Sequence, residues 1–228
     1  QKQGVASSGF AGFYLGESNR IVMYEADVAT SSIEPADILP PTSLVSTGPV
    51  IESADRTDNL VVGSVGPMTA GVLIHEATHQ LGYNCGLHAR LGWNPKWTVE
   101  GLATLFEAPG VRNRASSRSR DDRINPRRPR DFKDYAASRR KTGASEELVA
   151  TDRRLQTAVS DFYAESWALT FFLVETRPRE YARYMQKIAD RDPFNRYTAE
   201  ARVEDFRKAF SSNLALLDAE FLRFMSKL

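Results

Sequence analysis

The stretch His75-Glu76-Ala77-Thr78-His79 constrains this chain more than any other. Two histidines four residues apart lie one above the other on a single face of an α-helix, where they can grip one metal ion. The surroundings agree with a helix. Pro67 suits an opening turn, Val72, Leu73, Ile74 and Ala77 supply apolar filling, and the residues from Gly82 to Gly86 read as its stop. Glu76 follows His75 by about a third of a turn, which places it beside a bound ion. A carboxylate there can take the proton of an attacking water and later deliver it to a leaving group.

The remaining chain is ordered around that helix. Residues 10–15 and 21–24 read as a hairpin joined by Gly16-Glu17-Ser18-Asn19. Residues 27–57, with Pro35, Pro40, Pro41 and Pro49, read as irregular connection, and 60–62 as one short strand. A second helix is expected to open with Asn94 as cap and Pro95 at its first position, and to run to Glu107 before Pro109-Gly110. Further helices are expected at 157–175, 178–189, 199–211 and from 214 to the end. Strands first and helices afterwards predict an α+β fold, with a small sheet on the first helix, an N-terminal lobe of about residues 1–92 and a helical lobe of about 93–228. A cleft is expected between the lobes.

Charged residues at 26% and hydrophobic ones at 42% are ordinary for a globular chain, and no apolar run is long enough to span a bilayer. The net charge of +1 conceals a basic stretch at 112–141, with twelve basic and four acidic residues. Its aromatic residues are Phe132 and Tyr135, and it shows neither zinc-finger spacing nor an amphipathic basic helix, so no nucleic-acid partner is expected. It reads as a solvated loop, or as a cleft-side loop whose arginines meet substrate carboxylates. The single Cys85 can form no internal disulfide. Gln1 in place of an initiating methionine suggests a mature or trimmed piece of a longer protein, with an exported location favoured over a cytoplasmic one.

A catalytic zinc site needs three protein ligands and an open position. Cys85, His88 and Glu100 are candidates for the third. Cys85 stands where the metzincin pattern has histidine, and His88 lies three residues too late for that role, which suits a surface or supporting histidine better. Glu100 falls in the middle of the second helix, with Glu107 two turns further on the same face, where it could accept the outward N–H of a ligating histidine. Asn84 reads as a helix-end cap.

His75-Glu76-x-x-His79 followed by Trp97-x-x-Glu100-Gly101-x-Ala103 resembles the gluzincins, the clan of zinc peptidases that includes thermolysin and aminopeptidase N. A narrower resemblance, close over 71–109 and weaker around Phe162-Tyr163-Ala164-Glu165-Ser166-Trp167, is to a bacterial gluzincin-like group known as a domain of unknown function. The resemblance implies a zincin-like fold, Zn2+ held by His75, His79 and Glu100, Glu76 as general base, and peptide or protein substrates. It also implies an oxyanion-stabilising role for Tyr163; failing that residue, the role would fall to the metal, to Tyr135 or to an arginine of the basic stretch. The rival expectation for Tyr163 is core packing with Trp167 and Thr170. The alternative to a peptidase is an inactive zincin-like module that keeps zinc for structure or for partner recognition.

Overall fold

The described residues open with an antiparallel hairpin, as the two β-rich segments and the turn between them predict. The computed structural model describes residues 9–16, 18–26, 67–113, 115 and 117–228, and gives β1 as Gly9–Leu15 and β2 as Arg20–Ala26. Phe13 pairs with Val22 and Leu15 with Arg20. Asn19 turns the chain at φ 55°, in the left-handed region that asparagine tolerates. These strands make up the sheet among the described residues. The irregular stretch 27–57 and the strand expected at 60–62 lie outside them.

Helix α1 spans Pro67–Asn84 and passes through Gly82 before ending, because Gly86 at φ 77° supplies the left-handed turn that closes it. Asn84 is therefore the last helical residue and not a cap, and its side-chain carbonyl accepts a hydrogen bond from Arg90. Arg90 also donates to the carbonyl of Gly16 at 2.8 Å, while Gln80 donates to that of Asn19 at 2.8 Å, so the end of α1 is tied to the hairpin turn.

Helix α2 spans Lys96–Phe106. Asn94 is not its cap. That side chain bonds both ways to Ala89, accepting from its N–H at 3.0 Å and donating to its carbonyl at 2.7 Å, which closes the preceding loop on itself. Pro95 takes the cap position, and Asp152 accepts the Lys96 N–H at 2.9 Å, so a carboxylate faces the positive end of the helix from another element. Thr98 and Thr104 lie fully buried on α2, their hydroxyls donating to the carbonyls of Pro95 and Glu100 at 2.7 and 2.8 Å.

The short α3, Pro109–Arg112, and a 3-10 turn at Asp121–Arg123 lead to α4, Arg127–Ser138. The basic stretch is thus not a loop, and it does contain an amphipathic basic helix. Phe132 and Tyr135, three residues apart, bury one face of α4 against the core. Pro129 falls in the first turn, where its missing N–H would have had no partner within the helix.

Helices α5 (Ala144–Ala150) and α6 (Arg154–Thr157) lead to α7, Val159–Thr176. Helices α8 (Pro178–Ala189), α9 (Ala199–Phe210) and α10 (Leu214–Met225) complete the α+β chain. Buried residues from Phe162 to Leu173 occupy every side of α7 except near Tyr163, which makes α7 the central helix of the bundle. Phe172 packs on Phe221 with ring centres 5.6 Å apart, and Trp97 packs on Tyr184 at 6.0 Å, which joins α2 and α10 to one core. Glu165 is wholly buried within it. It accepts hydrogen bonds from Tyr135 at 2.8 Å and Arg140 at 3.1 Å and pairs with Arg154 at 2.8 Å, so its charge is fully partnered. Among the described residues no helix is long and apolar enough to cross a membrane.

Candidate metal centre

Helices α1 and α2 pack together, and their facing sides bring three potential metal-binding side chains together. Glu100 Oε2 lies 3.3 Å from His75 Nε2 and 3.4 Å from His79 Nε2. The two imidazoles meet edge to face, centres 4.8 Å apart, and one donor atom from each of the three residues lies within 4.8 Å of the others. Gly101 makes this placement possible. A Cβ there would stand 2.7 Å from the Ser166 carbonyl of α7 and would strike the Thr170 hydroxyl, so the glycine lets α2 lie against the central helix.

The outward nitrogen of His75, Nδ1, donates to Glu107 Oε1 at 3.1 Å. Glu107 is itself held by Arg128 at 2.6 and 3.1 Å and by Asn125 at 2.9 Å. Glu76 is buried beside the histidines and accepts a hydrogen bond from the Tyr14 backbone N–H of β1. Tyr163 of α7 closes another side, its ring 6.3 Å from that of His75 and its hydroxyl beside the Glu100 carboxylate.

These contacts set the charges. Burial disfavours a charged His75, but hydrogen bonds and negative charge from Glu100 and Glu107 prevail and raise its pKa to about 9. Burial would raise Glu100 too, yet the hydrogen bonds and charges of the two histidines hold its carboxyl well below the usual range. For Glu76 burial prevails, and its pKa moves up. Burial followed by the Glu100 carboxylate pushes the Tyr163 phenol well up, so it is a hydrogen-bond donor at neutral pH. Two imidazole nitrogens and one carboxylate oxygen are donors that could hold a divalent transition-metal ion once His75 gives up its proton.

All five residues singled out from the sequence, His75, Glu76, His79, Glu100 and Tyr163, meet here. Trp167 and Thr170, expected to share the face of Tyr163, are buried in the core, and Tyr163 itself packs against it, partly buried. Tyr135 is no substitute oxyanion donor, because its hydroxyl donates to buried Glu165 and accepts from Arg154 at 2.6 Å. Cys85 is exposed and outside the converging set. His88, expected at the surface or in support, is not at the surface: it is 2% exposed, packs over Gly82 and is not one of the converging ligand residues. Burial, with the nearby His79 next, lowers its pKa to about 4.

Several arginines of the basic stretch pair with carboxylates of the fold. Arg123 pairs with Glu175 at 2.7 Å, Arg139 with Asp161 at 2.9 Å, and Arg140 with Glu165 at 3.0 Å. Asn125, Arg128 and the Tyr14 backbone are the site groups that sequence reading missed. Nothing local distinguishes Arg128 from its neighbours Arg127 and Arg130, and a backbone N–H leaves no mark in a sequence.

An α+β chain with a His-His-Glu cluster at a helix junction is the class that fold and site define. Residues 69–195 match the family described as protein of unknown function (DUF1570), and since the match covers more than half of the chain, the chain belongs to that family. The matched span contains every side chain of the cluster and its hydrogen-bonded surround. No curated protein and no solved structure matches the chain.

Proposed function

We propose that the chain is a zinc-dependent hydrolase of the gluzincin type, with a zincin-like fold, that cleaves peptide bonds. The observation that carries this reading is the spacing of the three donors. A tetrahedral zinc shell with bonds of roughly 2.0–2.1 Å has ligand-to-ligand edges of about 3.3–3.4 Å. The two Glu100-to-histidine edges, 3.3 and 3.4 Å, fit that shell, the histidine-to-histidine edge lies within 4.8 Å, and the donor set is one that zinc takes readily.

Zinc bound there would polarise a substrate carbonyl and acidify a water. The protein's own groups do the rest. Glu76, buried and with its pKa raised, takes a proton from the attacking water at its carboxylate and returns it to the leaving amine. Tyr163 donates its hydroxyl hydrogen to the carbonyl oxygen as negative charge grows there. Glu107 accepts a hydrogen bond from the His75 Nδ1–H, which fixes the neutral tautomer whose Nε2 lone pair would face the ion. A buried carboxylate at position 76 favours catalysis over a structural role, since a purely structural site has no use for it.

Digestion of a mixed peptide library, read by mass spectrometry, tests the reading. The parent is expected to cleave, and Glu76→Gln to keep its zinc while losing nearly all turnover. Undiminished cleavage by Glu76→Gln would remove Glu76 from the mechanism. A zinc-loaded parent that cleaves nothing would leave an inactive zinc-binding module.

A further inference from the structure

We propose that Asn125 and Arg128 form a positioning clamp, which acts through Glu107 to hold His75 in its metal-binding orientation. The inference rests on the zinc reading above and gives the arginine-rich stretch a function at that same site.

Glu107 follows the last turn of α2, and a glutamate at a helix end has several free torsions. One hydrogen bond to an imidazole does not fix such a side chain. Here both carboxylate oxygens are used twice. Oε1 accepts from His75 Nδ1 at 3.1 Å and from an Arg128 terminal nitrogen at 2.6 Å, while Oε2 accepts from Asn125 Nδ2 at 2.9 Å and Arg128 Nε at 3.1 Å. The guanidinium meets the carboxylate fork to fork, the arrangement that sets the carboxylate plane as well as its place. With side chains only 17% and 8% exposed, Arg128 and Glu107 form no ordinary surface pair. The same four bonds also occupy the lone pairs with which Glu107 could reach a cation itself, which keeps the ligand set at three.

The chain between the two partners is built to deliver these donors. Arg112 donates to the Phe106 and Glu107 carbonyls at 3.0 and 2.6 Å, which satisfies the end of α2. Gly110 then admits the backbone of Asp122, which a Cβ would exclude, so the 3-10 turn folds back onto α3. Arg123 fastens that turn to Glu175 near the end of α7. Asn125 Oδ1 accepts the Arg127 N–H at 3.1 Å and shapes the first turn of α4, leaving its amide nitrogen for Glu107 and placing Arg128 one residue further on.

Competition for zinc against a chromophoric chelator, on the full chain at fixed pH, tests the clamp. Arg128→Ala and Asn125→Ala are expected to weaken zinc binding, the former by about 10- to 100-fold. Arg128→Lys should recover part of the loss, since an ammonium holds one oxygen but not the fork. In a Glu107→Ala background Arg128→Ala should have no further effect, because the arginine works through that carboxylate. Arg177→Ala, which loses the ion pair with Glu220 outside this segment, should lower stability and leave zinc affinity unchanged. Circular dichroism identifies any variant that fails to fold, and Asn125→Ala with Arg128→Lys then carries the comparison. Parental zinc affinity in the Arg128 and Asn125 variants, or additive losses with Glu107→Ala, would overturn the clamp alone. A parent that binds no zinc would overturn the site reading and the clamp with it.

Discussion

Glu100 on α2 and Glu107 at its C-cap, two turns further on, take opposite nitrogens of His75, so one helix and its cap supply both the proposed third ligand and the group that orients another. The same geometry bears on Tyr163, whose hydroxyl reaches Glu100 from α7. Tyr163→Phe is expected to lower turnover a hundredfold or more, the effect of deleting one oxyanion donor worth about 2.7–4 kcal/mol, while zinc content and folding persist. Steady-state kinetics on a cleaved peptide checks this, and near-parental kcat would return Tyr163 to a packing role. His88 gives a stability test at the same scale. Its pKa is about 4 in the fold against 6.5 ordinarily, so the folded chain binds fewer protons between those values. Its contribution is therefore fully present above about pH 6.5 and falls as pH drops towards 4, by about 3 kcal/mol across the window. Urea denaturation at pH 7 and pH 5 should show a smaller loss in His88→Phe than in the parent. An equal loss would mean that His88 is not held neutral. The two proposed histidine ligands were legible because H-E-x-x-H has a fixed helical meaning. His88 was not, since a buried imidazole and an exposed one look alike in a sequence.

Helix α2 depends on Gly101, which sits next to Glu100 and opposite the Ser166 carbonyl and the Thr170 hydroxyl. Gly101→Ala should force α2 away from α7 and cost about 1–3 kcal/mol of stability, as overpacking does. It should also weaken zinc binding, because Glu100 moves with the backbone. Thermal denaturation and zinc titration of this variant together check the point, and a stable variant with parental affinity would show that the two helices can separate without disturbing the site. Periodicity predicted α1, α2 and α7 to α10 well, since each carries an apolar face or is apolar throughout. It failed at α4, where charged residues and prolines mask a two-residue apolar contact. Phe132 and Tyr135 gain their helical setting from the core they enter, which no local window contains. The Asn94 cap failed for a related reason: the side chain fitted a cap, but the loop to Ala89 competed for it and won.

For the molecule as a whole, strands followed by helices did announce the α+β order. The way α7 gathers the elements was not announced. Glu165 reads as one more polar residue in its helix, yet it is wholly buried and meets Tyr135, Arg140 and Arg154 from three directions. That network and the hydrophobic core fix the helical bundle, and α2 transmits its position to the ligand cluster. A zinc ion bound between α1 and α2 would add binding energy to the folded state alone, so chelation should lower the melting temperature. The most direct test is metal analysis of the dialysed parent beside His79→Ala and Glu100→Ala. The account expects about one zinc per parent chain and close to none in either variant. A zinc-free parent would contradict it, as would full zinc in both variants together with its loss in Cys85→Ser or His88→Ala.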